Sequence, residues 1–396
     1  MVARLRPPSG SPPAALPTPL TAPSERGTAT PTLGPVSWVL VPSPTPPAGT
    51  MAANLTGLSC VSLRDCWAVG WVAQDNGPGG DTPVQSVDEP SQALIEQNVG
   101  SGWSIVPSPN IPIGSDGVGS LLSSVTCVTA SDCWAVGDSL GGTLIEHDGG
   151  DGWSLVTSPD PGQPWARLNA VTCVGAGDCW AVGTLNNTAA LIEQDTGDGW
   201  TIVTSPVAGA GASLNGVTCI SASDCIAVGY YIDANQMEET LIEQNTGGGW
   251  TIVPSPTPPV TPVAYDGVYA GVSLRAVTCV GPSSCWAVGE VSDSSTSTAS
   301  VIEKDAGDGW SLVSGPSPAG GGGLLGVTCI AAADCWAVGP GVEHETDGAW
   351  SIVSSPTPPW PSGLDDVVCI DSRDCWAGGI TLGSRDTGQT LIERTQ

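Results

Sequence analysis

Three sets of residues in this chain have the types and spacings that chemistry requires. Fourteen cysteines form seven pairs, each pair six residues apart: Cys60/Cys66, Cys127/Cys133, Cys173/Cys179, Cys219/Cys225, Cys279/Cys285, Cys329/Cys335 and Cys369/Cys375. Thiols so spaced make disulfides, redox centres or metal ligands. Structural zinc needs ligand quartets, usually with histidine, and the only histidines are His147 and His344. The pairs therefore read as disulfides, with no metal and no cofactor expected. A second set is seven glutamates, one per pair: Glu96, Glu146, Glu193, Glu243, Glu303, Glu343 and Glu393. A carboxylate repeated in every copy serves the copy rather than a single active site, and is expected to accept backbone N–H bonds at a turn. The third set is irregular: Trp71, Trp165, Arg167, Tyr230, Tyr231, Tyr265, Tyr269, Arg275, Trp360 and Arg385. These are aromatics and arginines outside the repeated phrases, suited to contacting a partner or a sugar.

The elements that must position them repeat, with a period of forty-odd residues as a rough guide. One copy runs from Val171 to Pro206, VTCVGAGDCWAVG and then LIEQDTGDGWTIVTSP. Its short β-branched and aromatic runs, punctuated by Gly, Asp and Pro, predict four strands. These are a (Leu168 to Val174), b (Cys179 to Gly183), c (Leu191 to Glu193) and d (Trp200 to Val203). Two cysteines facing each other across an a–b hairpin should have Cα atoms about 4.5 to 5.5 Å apart, within the range of a disulfide. Each such bridge closes a small loop, worth about 2 kcal/mol at most. The bridges are read as staples of the hairpin, not redox sites. Copies are expected to begin near Leu55, Leu122, Leu168, Leu214, Leu274, Leu325 and Leu364.

The two ends are complementary. Val36 to Pro44 matches the closing phrase of a copy, whereas the last copy stops at Gln396 without one. A stray final strand at one end and a missing one at the other describe a ring sealed edge to edge. The expected fold is therefore all-β: a seven-bladed β-propeller of four-stranded blades, with residues 36–44 completing the last blade. Residues 1–34, rich in Pro, Ser, Thr and Ala, are expected to form a disordered tail, and residues 35–396 the propeller.

Composition excludes several classes. The formal net charge is -29 with ten basic residues in all, so the chain offers phosphates no basic footprint and nucleic acid is not an expected partner. No apolar run reaches the roughly 18 residues of a membrane helix. Cysteines used wholly in pairs point to an oxidising, extracellular or envelope location. The first residues show no apolar core of export length, which leaves the export route open and is compatible with a start lying upstream. The acidic residues Asp75, Asp81, Asp88, Glu89, Asp116 and Asp266 match no calcium-loop spacing and read as solvated charge. A monomer is expected.

Two resemblances attach to these phrases. Asp195-Thr-Gly197-Asp-Gly-Trp200, with Asp148/Gly150/Trp153 and Asp305/Gly307/Trp310, resembles the Asp-box of sialidase-like propellers. It weakens to Asn98/Gly100/Trp103 and Asn245/Gly247/Trp250, and to Glu345/Asp347/Trp350. Glu replaces the box's first Ser or Thr each time. In that family the box is a structural turn away from the active site, so the resemblance implies fold. The combination of Cys pair, A-V-G and W-S-I-V-x-S-P resembles secreted actinomycete repeat proteins across nearly all of residues 35–396, implying an extracellular or envelope propeller. Sialidases also use an arginine trio with a Tyr–Glu pair. Arg167, Arg275 and Arg385 offer the trio, but the family's Phe/Tyr-Arg-Ile-Pro motif has no counterpart.

Constant a–b and c–d turns against variable b–c and d–a loops set one face apart for binding. The expected function is non-catalytic recognition of a protein or glycan partner by that face. A glycoside hydrolase of sialidase type and an assembly factor or sensor domain are the alternatives.

Overall fold

The computed structural model describes residues 36–47, 49–74, 91–109, 111, 119–139, 141–159, 161–162, 165–258, 271–292, 298–316, 321–356, 362–383 and 387–396. Every element in them is a strand, and no helix is long and apolar enough to cross a membrane. The 28 strands form antiparallel four-stranded meanders; two of these are joined into one larger sheet by a single parallel bridge, Glu238 to Gly271. In the Cys173/Cys179 unit, a is Ala166–Gly175, b is Asp178–Leu185, c is Ala189–Asp195 and d is Trp200–Val203. Strands a, b and c thus run further than the sequence periods require. In the Cys329/Cys335 unit strand a is Gly326–Ala331, and the buried leucine before it is Leu324. Its N–H donates to Gly289 O of the preceding unit.

The A-V-G glycine shows how the repeat builds its backbone. Strand a carries a bulge after its opening leucine. A Cβ placed on Gly183 would lie 1.9 Å from Arg167 O, and one on Gly229 1.9 Å from Ser213 O. The same approach recurs at Gly70, Gly137, Gly289, Gly339 and Gly379. Strand b can cross the bulge only where it has no side chain.

All seven cysteine pairs are disulfides joining residues directly opposite each other on strands a and b: Cys60–Cys66, Cys127–Cys133, Cys173–Cys179, Cys219–Cys225, Cys279–Cys285, Cys329–Cys335 and Cys369–Cys375. Their Cα atoms are 4.0 to 4.1 Å apart, not the expected 4.5 to 5.5 Å, because each pair sits beside a second bulge at the hairpin end. The later cysteine of each pair, Cys66, Cys133, Cys179, Cys225, Cys285, Cys335 and Cys375, is also a fully buried member of a core cluster. Six of their sulfurs rest on the carbonyl oxygen four residues earlier. Cys66, Cys133 and Cys225 lie 3.6 Å from the oxygens of Ser62, Thr129 and Ser221. Cys335 lies 3.7 Å from that of Ala331, and Cys285 and Cys375 lie 3.8 Å from those of Gly281 and Asp371. A sulfur committed to a disulfide carries no proton, so these six contacts are packing and not hydrogen bonds.

Across the turn between c and d, Asp195 Oδ1 accepts from Gly197 N (2.8 Å) and Gly199 N (3.1 Å). Asp148 and Asp305 do the same, while Asn98 and Asn245 accept from the first glycine. Both glycines of the Asp195 turn have positive φ, 94° and 105°, where a Cβ would be strained.

Each sheet unit packs on the next in cyclic order. The tryptophan after each second cysteine meets the strand-d tryptophan of its neighbour edge-on: Trp67–Trp153, Trp134–Trp200, Trp180–Trp250, Trp286–Trp350, Trp336–Trp38 and Trp376–Trp103, at 5.3 to 5.5 Å. Such pairs contribute about 0.5–1.5 kcal/mol each beyond their buried area. At the remaining seam Ile226 takes the tryptophan position and packs in the cluster that holds Trp310. Strand a of every unit touches strand a of the next, and the last touches the first. The cycle is joined by Trp38–Leu40, which pairs antiparallel with Gly388–Thr395 and supplies the last sheet's fourth strand. The paired segment is shorter than residues 36–44, extended by bonds from Val41 N to Ile392 O and from Gln396 N to Ser37 O.

The repeated glutamates correct an expectation. They are fully buried, yet the c–d turn is served by Asp and Asn, and the glutamates reach a neighbouring sheet instead. Ser108 donates to Glu146, Ser158 to Glu193, Ser205 to Glu243, Ser255 to Glu303 and Ser355 to Glu393. Ser43 donates to Glu96 across the closure. These serines belong to the Ser-Pro that ends each copy, so the carboxyls fasten seam to seam. In the one remaining copy the serine position is Gly315, and neither oxygen of Glu343 has a partner among the described residues. Burial pushes Glu96 up to about 8 and Glu146, Glu193, Glu243, Glu303 and Glu343 up to about 7.

Candidate functional site

The position right after the A-V-G glycine is where the units diverge: Trp71, Asp138, Thr184, Tyr230, Glu290, Pro340 and Ile380. The glycine lets strand b cross the bulge of strand a, so the next residue is carried at the same end of every sheet, opposite strand a. Trp71 faces Asn54, Asp138 faces Leu121, Thr184 faces Arg167, Tyr230 faces Ser213 and Glu290 faces Ser273.

Several expected site residues sit differently from the sequence reading. Trp71, Tyr230 and Tyr231 are in strand b, not in loops, because b continues past its glycine to Gln74 and to Ile232. Arg167 and Arg275 lie in strand a. Trp165 immediately precedes its strand and is 60% exposed. Cys66, Cys133, Cys179, Cys225, Cys285, Cys335 and Cys375, by contrast, are buried between sheets and take no part in a surface site. Tyr265, Tyr269, Trp360 and Arg385 lie outside the described residues, as do Asp75, Asp81, Asp88, Glu89, Asp116 and Asp266.

Arg167 and Arg275 both act electrostatically on Tyr230. Burial raises the Tyr230 hydroxyl above its ordinary pKa, and Glu238 raises it further, against the charges of Arg167 and Arg275. Burial also pushes Asp138 up to about 6, against the pull of Arg167. Glu238 is raised by burial, with Arg275 opposing and Glu290 adding to the shift. Six polar groups from four consecutive units are thus linked in series by electrostatic effects along an arc of the cycle: Asp138, Arg167, Tyr230, Glu238, Arg275 and Glu290. Arg275 donates from Nε to Glu290 Oε1 at 3.0 Å and from Nη2 to the same oxygen. That contact occupies the guanidinium which the sialidase resemblance offered as a free carboxylate clamp. Arg167 differs, since its Nε is buried and has no acceptor among the described residues.

Sequence reasoning missed Asp138, Glu238 and Glu290. The signal for two of them was present as the single variable letter after a constant A-V-G. Glu238 carries no such mark, for it enters the arc through the parallel bridge to Gly271.

Polar contacts also join successive a strands. Asn169 Nδ2 donates to Leu214 O and Asn215 Nδ2 to Leu274 O, each at 2.8 Å. Thr56 Oγ1 donates to Leu122 O at 2.7 Å. Asn54 Nδ2 donates to Asp365 at 2.6 Å, across the closure. Burial pushes Asp365 up to about 6 and Asp366 up to about 7. No group of three or more metal-ligating side chains occurs among the described residues. On the turn side, a cavity of about 450 Å³ opens at the closure seam, lined by Arg64, Asn98, Trp376 and Arg394 among others. Arg394 lies over Trp376 and donates from Nε and Nη2 to Asp374.

No protein-family model matches the chain, and no curated protein matches it. Solved structures do. A structure described as YCF48 bound to D1 peptide is 15% identical, covering 92% of this chain and 96% of its own, with a TM-score of 0.53. A protein of unknown function from Dyadobacter fermentans is 10% identical, covering 91% and 99%, at 0.51. Trypanosoma rangeli sialidase is 10% identical, covering 91% of this chain and 59% of its own, at 0.44. At these identities the likeness is one of fold: the chain has an all-β, repeat-built, propeller-like architecture. Its seven disulfides are those of a protein from an oxidising environment.

Proposed function

We propose that residues 35–396 are a seven-bladed β-propeller, preceded by a tail of residues 1–34. In this reading it is a monomeric extracellular or cell-envelope module that recognises a protein or glycan partner without chemistry. The 28 strands divide into seven sets of four when Trp38–Leu40 is counted with the last. The recognition surface is the end of the ring bearing Asp138, Trp165, Arg167, Tyr230 and Arg275, with Trp71 and Tyr231 beside it.

One observation carries the reading. Seven near-identical units vary at the residue after a sterically obligatory glycine, and there they place an arc of charged and aromatic groups. A scaffold whose constant positions are all used for packing leaves its variable positions for recognition. The peptide held by the similar YCF48 structure supports a protein segment as partner. The Arg275–Glu290 pair weighs against a sialidase-type hydrolase, whose arginines must be free for a substrate carboxylate.

The test is a cell-wall, glycan and protein-partner capture with the intact disulfide-bonded chain, beside Arg167→Gln and Tyr230→Ala. Capture that these substitutions abolish supports the reading. Capture that survives both places recognition elsewhere, and turnover of an aryl-glycoside or sialoside panel overturns the non-catalytic assignment.

A further inference from the structure

We infer that the cavity at the closure seam binds a small organic carboxylate, a monoanion with an apolar body. The cavity lies on the turn side of the sheets, at the opposite end from the recognition surface, and does not depend on it.

The two units that the cycle brings together each supply a wall. One wall carries Trp376 and Arg394, which face each other across strands b and c of the Cys369/Cys375 unit. The other belongs to the Cys60/Cys66 unit. Its a–b turn gives Leu63 and Arg64, and its c–d turn gives Asn98 and Gly100. Val41, just past the closing strand, adds to the lining. The volume of about 450 Å³ falls within the roughly 300–1,000 Å³ of small-molecule sites, which are mainly apolar with a few placed polar groups.

No other seam has an arginine on both sides. In the other units the place of Arg394 is taken by Gln97, His147, Gln194, Gln244, Lys304 and His344. The place of Arg64 is taken by Ser131, Gly177, Ser223, Ser283 and Ala333, with Arg373 in the last unit. The acid of the c–d turn is missing here as well, since Asn98 stands where three other turns have Asp148, Asp195 and Asp305. In a chain with 10 basic and 39 acidic residues, this cavity is a local reversal of charge.

Donors are left over on both walls. Asn98 is only 4% exposed; its Oδ1 accepts from Gly100 N at 2.8 Å, and its Nδ2 has no partner among the described residues. Arg394 donates from Nε and Nη2 to Asp374, which leaves Nη1 without a partner among the described residues. Its guanidinium is set over Trp376, with Cζ 5.0 Å from the ring centroid. The Arg64 guanidinium likewise has no partner among the described residues. Its stem is held, however, against the c–d turn: a Cβ on Gly100 would lie 2.8 Å from Arg64 Cγ. A packed stem with an unengaged head is a donor fork placed for an incoming acceptor.

Charge and lining select the ligand. Asp374 offsets Arg394, so the surplus positive charge at the cavity is that of Arg64. A carboxylate matches one guanidinium in charge and in its two-oxygen geometry, whereas a dianion does not. Val41, the exposed Leu63 and the indole of Trp376 give apolar surface for the rest of the molecule.

The experiment titrates the intact disulfide-bonded chain with benzoate, phenylacetate and hexanoate by calorimetry and ligand-observed NMR at low salt. Benzamide and inorganic sulfate serve as the neutral and dianionic comparisons. At least one of the three carboxylates is expected to bind with a Kd between about 10 µM and about 1 mM, and benzamide about tenfold more weakly or worse. Arg64→Gln should weaken the carboxylate about tenfold. Asn98→Asp should do the same, and it introduces the residue that three other turns already accommodate. Thr201→Ala, on an outer strand of another unit, should change nothing, and the melting curve of each variant controls for folding. No carboxylate bound at about 10 mM, equal binding of benzamide, a preference for sulfate, or full affinity in either cavity variant overturns the inference.

Discussion

Replacing Ser255 by alanine and Gly315 by serine should move stability in opposite directions, although the two positions are equivalent in the repeat. Ser255 Oγ lies 3.0 Å from each oxygen of Glu303, which is fully buried and pushed up to about 7. At pH 6 the carboxyl is mainly protonated, so the alanine variant leaves a neutral buried group short of a partner. That costs about 1–3 kcal/mol. Gly315 poses the converse case. A Cβ there would be 3.7 Å from Glu343 Oε2, placing a serine hydroxyl within reach of a carboxyl that now has no partner among the described residues. The obstacle is the terminal methyl of Ile302, 2.7 Å from that Cβ, the movable end of a flexible side chain. Its displacement costs about 0.5–1.5 kcal/mol. The new hydrogen bond contributes about 1 kcal/mol, and the stiffer unfolded chain about 0.4–1 kcal/mol more. The net expectation for Gly315→Ser is a gain of between about 0 and about 1.5 kcal/mol. Urea denaturation at pH 6 under non-oxidising, non-reducing conditions reads both changes from the midpoint at constant m. A Ser255→Ala variant as stable as the parent, or a Gly315→Ser variant that is less stable, would refute the seam as a source of stability.

The same carboxyls give a pH dependence of definite sign. The folded state holds the protons of Glu96, Glu146, Glu193, Glu243, Glu303 and Glu343 to about 7 or 8, whereas the unfolded chain releases them near 4.5. Their contribution is complete below about 4.5 and is lost as pH rises through the folded values; urea midpoints should therefore fall from pH 5 to pH 8, and flat or rising midpoints would contradict the burial. Truncation tests the closure. Removing residues 1–44 deletes the strand paired with Gly388–Thr395, the Trp38–Trp336 contact and the Ser43–Glu96 bond, exposes a sheet edge and should cost solubility on size-exclusion chromatography. Removing residues 1–34 should be tolerated, and identical behaviour of the two truncations would sink the closure argument.

Much of this fold was legible because the repeat states each local requirement seven times. Cysteines six apart place thiols opposite each other on a hairpin, and the displaced phrase Trp38-Val-Leu-Val41 fits only the strand missing from the last copy. The burial of the second cysteine was not legible, because the neighbouring sheet that covers it belongs to another copy. The glutamates were misread because their partners are serines about 35 to 55 residues away, on another sheet, and spacing within a copy contains no trace of that contact. Trp71 and Tyr230 were assigned to loops for a related reason. Variation in a repeat looks like a connection, yet strand b continues through it.

Local chemistry, then, determined the disulfides, the four-strand unit and the cyclic pairing of the ends. These follow from interactions a few residues long or from exact repetition. Only the tertiary structure decided that Glu343 faces a glycine, that Arg275 is held by Glu290, and that Asp138, Arg167, Tyr230 and Glu238 share one arc. Their positions are far apart in sequence and belong to different copies. Which side chains meet is set by the packing of one sheet against the next, and no single copy encodes that geometry.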